Sequence, residues 1–166
     1  MKNTTLCYIE RDGCYLMLHR IKKAQDVNRD KWVGIGGKLE EDESAEDCLL
    51  REAKEETGLT LTEYRLCGVI TFVSDRWEGE HMFLYHATGF AGALRECDEG
   101  VLEWVPIDRV NALPQWSGDR LFLQRLQQNA PFFTMKLRYN GEELVEAVLN
   151  GREDLISGQW TGDSGQ

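Results

Sequence analysis

The sequence predicts an α+β domain, layered α/β/α around a mixed sheet, and three observations predict it. Short β-branched and apolar runs recur with turn residues between them, two stretches carry helical spacing, and hairpin signals stand near both ends of the chain. Strands and helices do not alternate strictly, so a parallel doubly wound sheet fits poorly. A length of 166 residues suits one domain that buries its core without disulfides or structural metal.

Taken in order, "TTLCYIE" and "CYLMLHR" are strand-like runs joined by "RDG", a hairpin turning at Asp12-Gly13. A polar stretch, Ile21 to Asp30, leads to "KWVGIGGK", whose paired glycines imply backbone that bends sharply or approaches a ligand. The strongest helix follows. Ser44 caps it with Asp47 three residues on, Ala45, Leu49 and Ala53 recur at helical spacing, and Gly58 stands where a C-terminal cap belongs, so it ends near Thr57. "LCGVITFVS", "GEHMFLYHATGF" and "VLEWVPI" are three more strands. "WSGDRLFLQRLQQN" is an amphipathic helix presenting Leu121, Leu126 and Leu123 or Phe122 to one face. Asn140-Gly141 then marks a hairpin between two alternating runs. The domain spans 1–150, and the polar, Gly-rich stretch 151–166 is expected to be a weakly ordered tail.

A formal charge of -10 and a pI near 4.8 argue against a nucleic acid polymer or an anionic membrane as the main partner. The five cysteines (Cys7, Cys14, Cys48, Cys67, Cys97) are scattered, without C-x-x-C, and are expected to be reduced core thiols. With no long apolar run at the N-terminus or elsewhere, the chain is expected to be soluble and cytoplasmic. His81 and His86, five apart in a strand, point to opposite faces and do not form a joint site.

The segment from Gly37 to Leu59, "GKLEEDESAEDCLLREAKEETGL", is crowded with like charge. Glu52, Glu55 and Glu56 share one helical turn, and Arg51 can neutralise only part of their charge. A solvated helix face explains Glu40, Glu41, Asp42, Glu46 and Asp47, with the first-turn acids favoured at the helix N-terminus. It does not explain Gly37, Glu43, Arg51 and Gly58 at fixed offsets from the three glutamates. Oxygen ligands suit hard dications that bridge carboxylates to phosphate oxygens, which would also let an acidic protein bind an anionic substrate.

These residues resemble the Nudix box, G-x5-E-x7-R-E-U-x-E-E-x-G-U, with Gly37, Glu43, Arg51, Glu52, Ala53, Glu55, Glu56, Gly58 and Leu59 at every required place. The seven fixed Gly, Glu and Arg positions would recur by chance at about 1 in 10^5 or less over such a chain. The resemblance implies a Nudix hydrolase: a mixed-sheet α/β/α sandwich that binds Mg2+ or Mn2+ and hydrolyses nucleoside diphosphates linked to another group. By motif position Glu52, Glu55, Glu56 and the Gly36 carbonyl are implied metal ligands, Glu55 or Glu56 the general base, and Arg51 and Glu43 the pair that holds the box together, with Gly58 closing it.

The flanks "LMLHRIKK", "GVITF", "CDEGVLEWVP" and "PQWSGDRLF" resemble the bacterial 8-oxo-dGTP diphosphatase (MutT-type) branch. That likeness implies hydrolysis of a nucleoside triphosphate to the monophosphate and pyrophosphate. It places Glu99 as an additional metal ligand, Arg20 toward the phosphates, Gly37 and Lys38 among the substrate-binding residues, Trp116 against the purine and Asp119 on the base edge. On the residues alone, Trp116 is equally a half-buried core aromatic, the role expected of Trp32 and Trp104, and Asp119 equally a dipole partner of its helix. Two departures stand out: Val33 where some 8-oxo-purine hydrolases carry an amide, and Gly118 where some carry a second acid. Those differences leave other nucleotides (dNTP, ADP-ribose, dinucleoside polyphosphate) as the alternative substrates. A non-catalytic nucleotide sensor is a further alternative, disfavoured because every box glutamate is present.

Overall fold

Asp12 and Gly13 both take positive φ (52° and 75°), the backbone of a tight two-residue turn, and it joins β1 (Lys2–Arg11) to β2 (Cys14–His19) in the expected hairpin. The computed structural model describes residues 1–156. After β2 come β3 (Trp32–Val33), α1 (Ala45–Thr57), β4 (Thr60–Ser74), β5 (Glu80–Ala91), β6 (Val101–Pro106), α2 (Ile107–Val110), α3 (Asp119–Gln127), β7 (Phe133–Asn140), β8 (Glu143–Leu149) and β9 (Glu153–Asp154). The sheet runs β3-β2-β1-β5-β4-β7-β8-β9, with β6 paired to β2. It is mixed: β1 with β5 and β4 with β7 are parallel, the other pairs antiparallel.

One face of the sheet carries a core into which α3 inserts Phe122, Leu123 and Leu126; the other carries a second core that receives Leu49 and Ala53 of α1. Helices on opposite faces make the layered α/β/α arrangement that the sequence predicts. Trp32 packs against the first core and Trp104 against the second, as partly buried aromatics. All five cysteines are free thiols. Among the described residues, no helix is long and apolar enough to cross a membrane.

Two boundaries differ from expectation. Asn140 is the last residue of β7 and pairs with Glu143, so the turn is Gly141–Glu142, because it is Gly141 that accepts positive φ (62°). The proposed tail also begins with structure: Glu153 and Asp154 pair with β8, and Leu155 donates to the Ala147 carbonyl at 2.8 Å. The remainder of that tail, 157–166, lies outside the described residues.

Candidate active site

The paired glycines are placed by close packing on β1. Thr5 N–H donates to the Gly37 carbonyl (2.9 Å), and Cys7 and Ile35 exchange two bonds (2.6 and 2.8 Å), so 35–39 runs beside β1 like a further strand. A Cβ on Gly36 would stand 1.9 Å from the Thr5 carbonyl, and one on Gly37 would stand 2.4 Å from a Glu52 carboxylate oxygen. Gly36 therefore has a steric reason to be glycine, because it meets backbone, while at Gly37 the contact is with a side-chain end and marks where loop and helix touch.

Helix α1 supplies the acids. Its predicted capping box forms, with Asp47 N–H donating to Ser44 Oγ and Ser44 N–H to Asp47 Oδ2, both at 3.0 Å, and Gly58 closes it in the left-handed conformation (φ 83°). Arg51 ties the segment together. Its guanidinium donates to both oxygens of Glu43 (2.6 and 2.9 Å), to Glu52 (2.8 Å), to Glu55 (3.3 Å) and to the Lys38 carbonyl (3.1 Å). The fork geometry of an arginine suits this two-sided grip on a carboxylate. It holds the Glu43 acid down to about 2.

The three box glutamates do not converge equally. Glu56 is buried and accepts from Gly36 N–H (3.2 Å); burial, then the neighbouring charges of Glu99 and Glu52, push its acid up to about 8. Glu52 is raised as well, chiefly by burial against the pull of Arg51. Glu55 is 58% exposed and reaches Arg51 along the outer surface. Glu99, from the turn before β6, joins buried Glu56 and partly buried Glu52 from another element and is held there by Arg20 at 2.8 Å. Arg20 also donates from Nε to Asp26 (2.7 Å), so its guanidinium already carries two carboxylates while it lines the cleft. Among the described residues, no three acidic, His or Cys side chains stand arranged to hold an ion; Arg51 engages Glu52 and Glu55, and Arg20 engages Glu99. The donor set is nonetheless all oxygen, and the arginines offset only part of the charge gathered by Glu52, Glu56 and Glu99, which suits a hard dication.

Beside this cluster lies a cleft of about 380 Å³, lined by Gly36, Gly37 and Lys38 of the box and, elsewhere along it, by Trp116 and Asp119. Trp116 is 7% exposed, its Nε1 donates to Asn28 Oδ1 (2.8 Å), and Lys31 Nζ sits 4.5 Å from its ring centroid. It meets Phe72, Trp77 and Tyr139 edge to face. Asp119, at the start of α3, is buried; burial pushes its acid up to about 7, and the Lys31 charge pulls it part of the way back. Both alternative roles of Trp116 and Asp119 thus meet in one place: each is core by burial and cleft by position. His81 and His86 lie apart, bonded to Thr71 (3.0 Å) and Glu10 (2.7 Å).

Residues that the sequence reading passed over include Asp26, Asn28, Lys31 and Trp77. Asp26 and Asn28 had a local signal, since Asn28 N–H donates to Asp26 Oδ1 (2.9 Å) in the side-chain-to-backbone turn that such residues favour. Trp77 had none, being a single aromatic in a polar loop.

The NUDIX domain model matches residues 2–126. The chain is similar to the uncharacterized Nudix hydrolase YvcI of Bacillus subtilis (33% identical over 126 residues, 72% of this chain and 75% of the relative). It is likewise similar to the oxidized purine nucleoside triphosphate hydrolase of Danio rerio (30% over 135 residues, 80% of this chain and 86% of the relative). Among solved structures, the mutator MutT protein from Bacillus halodurans superposes with a TM-score of 0.81 at 27% identity, covering 90% of this chain and 98% of that one.

Proposed function

The chain belongs to the Nudix hydrolase family, and from that premise we propose that it is a Mg2+-dependent nucleoside triphosphate pyrophosphohydrolase whose favoured substrate is 8-oxo-dGTP. The observation that carries the substrate is Asp119: a buried acid, poised near neutrality, opens into the same cleft as the glycine-rich box loop. Similarity to a relative named for oxidised purine nucleoside triphosphates supports the same reading. The protein would clear such nucleotides from the cytoplasmic pool before they enter DNA.

In this reading Glu52, Glu56, Glu99 and the Gly36 carbonyl would hold the ion, with Glu55 at the outer edge, and Mn2+ would replace Mg2+. A dication held there would supply positive charge at the phosphates and ease deprotonation of the attacking water. Glu43 and Arg51 fix the helix to the loop, so the acids keep their places when charge arrives. Arg20 and the loop of Gly37 and Lys38 orient the phosphates. One water oxygen bonds to phosphorus as one P–O–P bond breaks, the water proton passing to Glu55 or Glu56, and monophosphate and pyrophosphate leave. Trp116 and Asp119 hold the base, Asp119 by one donor or acceptor bond according to its proton.

The test is a panel with Mg2+: 8-oxo-dGTP, dGTP, the other dNTPs, ADP-ribose and dinucleoside polyphosphates. The expected outcome is the highest kcat/KM for 8-oxo-dGTP, and a clear preference for ADP-ribose would overturn the substrate. A second reading, hydrolysis of other nucleotides, is favoured by Val33 lining the cleft without an amide and by Gly118, whose missing side chain is filled by the Tyr139 hydroxyl accepting its N–H at 2.7 Å.

A further inference from the structure

The family resemblance places Trp116 against the purine, yet that indole is almost wholly enclosed. Its nitrogen is bonded to Asn28, Lys31 sits against its ring, and three aromatics meet it edge to face. Trp77 differs. It lies in the loop between β4 and β5, is only partly buried, and lines the cleft with its ring 5.4 Å from Trp116 at 83°. Two indoles at right angles form a corner.

The loop that carries Trp77 is anchored. Ser74 Oγ accepts from the N–H groups of Arg76 (2.9 Å) and Trp77 (3.1 Å), and Asp75 accepts from Gly141 N–H (2.9 Å) at the β7–β8 turn. The Arg76 guanidinium packs over the Trp77 ring at 5.2 Å and against Gly141, where a Cβ would approach it to 2.9 Å. The same turn sends Glu142 to Lys31 (2.9 Å), which backs Trp116. One hairpin turn therefore braces both indoles.

We propose that Trp77 is a base-contacting, specificity-determining residue: with one face backed by Arg76, its other face receives the planar base, and Trp116 walls the edge. The proposal deepens the nucleotide reading above and rests on it. A planar base stacked on an aromatic face is held mainly by that face and tolerates changes of polar edge. Asp119 then selects among bases that Trp77 holds.

The experiment uses the full chain with Trp77→Leu, which keeps apolar volume without a ring, and Trp77→Phe, which keeps a ring. Calorimetry measures dGMP as the base-bearing probe and inorganic tripolyphosphate as the base-free one, alongside KM and kcat for the best substrate of the panel. Trp77→Leu is expected to weaken dGMP and raise KM about tenfold or more, with kcat within about twofold and tripolyphosphate unchanged; Trp77→Phe restores most of the loss. Unchanged dGMP affinity in Trp77→Leu, equal weakening of both probes, or no measurable dGMP binding to the unsubstituted protein overturns it. Absence of any turnover would sink the pyrophosphohydrolase reading, while dGMP affinity still decides the role of Trp77.

Discussion

Adjacent glutamates on one helix have opposite environments, and the difference follows from spacing. Glu56 lies three residues after Ala53 and seven after Leu49, on the side of α1 that faces the core, whereas Glu55 points outward. A buried acid held at about 8 costs stability whenever it is ionised in the fold. Glu56→Gln is accordingly expected to lower kcat by orders of magnitude while Tm at pH 9 stays level or rises; Glu55→Gln is expected to cost less activity and no stability. Asp119 gives the second test. Its folded value of about 7 lies above the ordinary 3.8, so the native state holds the proton more tightly than the unfolded chain. Stability from this group therefore falls as pH rises from about 4 to about 7 and is flat above. Asp119→Asn is expected to gain up to about 4 kcal/mol at pH 8 and little at pH 4, read by denaturant melts, with 8-oxo-dGTP hydrolysis reduced.

At the scale of elements, α1 and the loop before it act as one piece. The helix was readable from its caps and its apolar spacing, and the box acids from their fixed offsets. Ser44→Ala is expected to remove about 1 kcal/mol, measurable by chemical denaturation, and to leave the site geometry in place. Gly36→Ala should do more: its methyl meets the Thr5 carbonyl, so the loop must lift from β1. The expectation is loss of activity together with a destabilisation of about 2 kcal/mol or more. What local pattern could not convey is which strands meet. The parallel pairs join Lys2–Ile9 to Glu80–Ala87 and Gly68–Ser74 to Phe133–Tyr139, and those crossings bring Trp77, Lys31 and Trp116 together from three distant stretches. Asp119 and Trp116 were nameable in advance, but their burial depended on that assembly.

For the whole molecule, a net charge of -10 concentrated partly in α1 makes the folded state self-repelling. Ligation of a dication should relieve this, so Mg2+ or Mn2+ is expected to raise Tm with a concentration dependence set by mass action, about 2.7 kcal/mol at a hundredfold excess over Kd. Glu52→Gln paired with Glu56→Gln should flatten that dependence. The bonding between β1 and the box loop carries a kinetic meaning too. From Thr5 to Cys7 the first strand is flanked by β5 on one side and by the loop on the other. Since β5 is contributed by a stretch some eighty positions downstream, the loop docks onto a strand whose other neighbour arrives late. The amides of Thr5 and Cys7 are thus natural isotope clocks: deuterium uptake at those two positions times how often the glycine loop peels away from the sheet, independently of any assay of turnover.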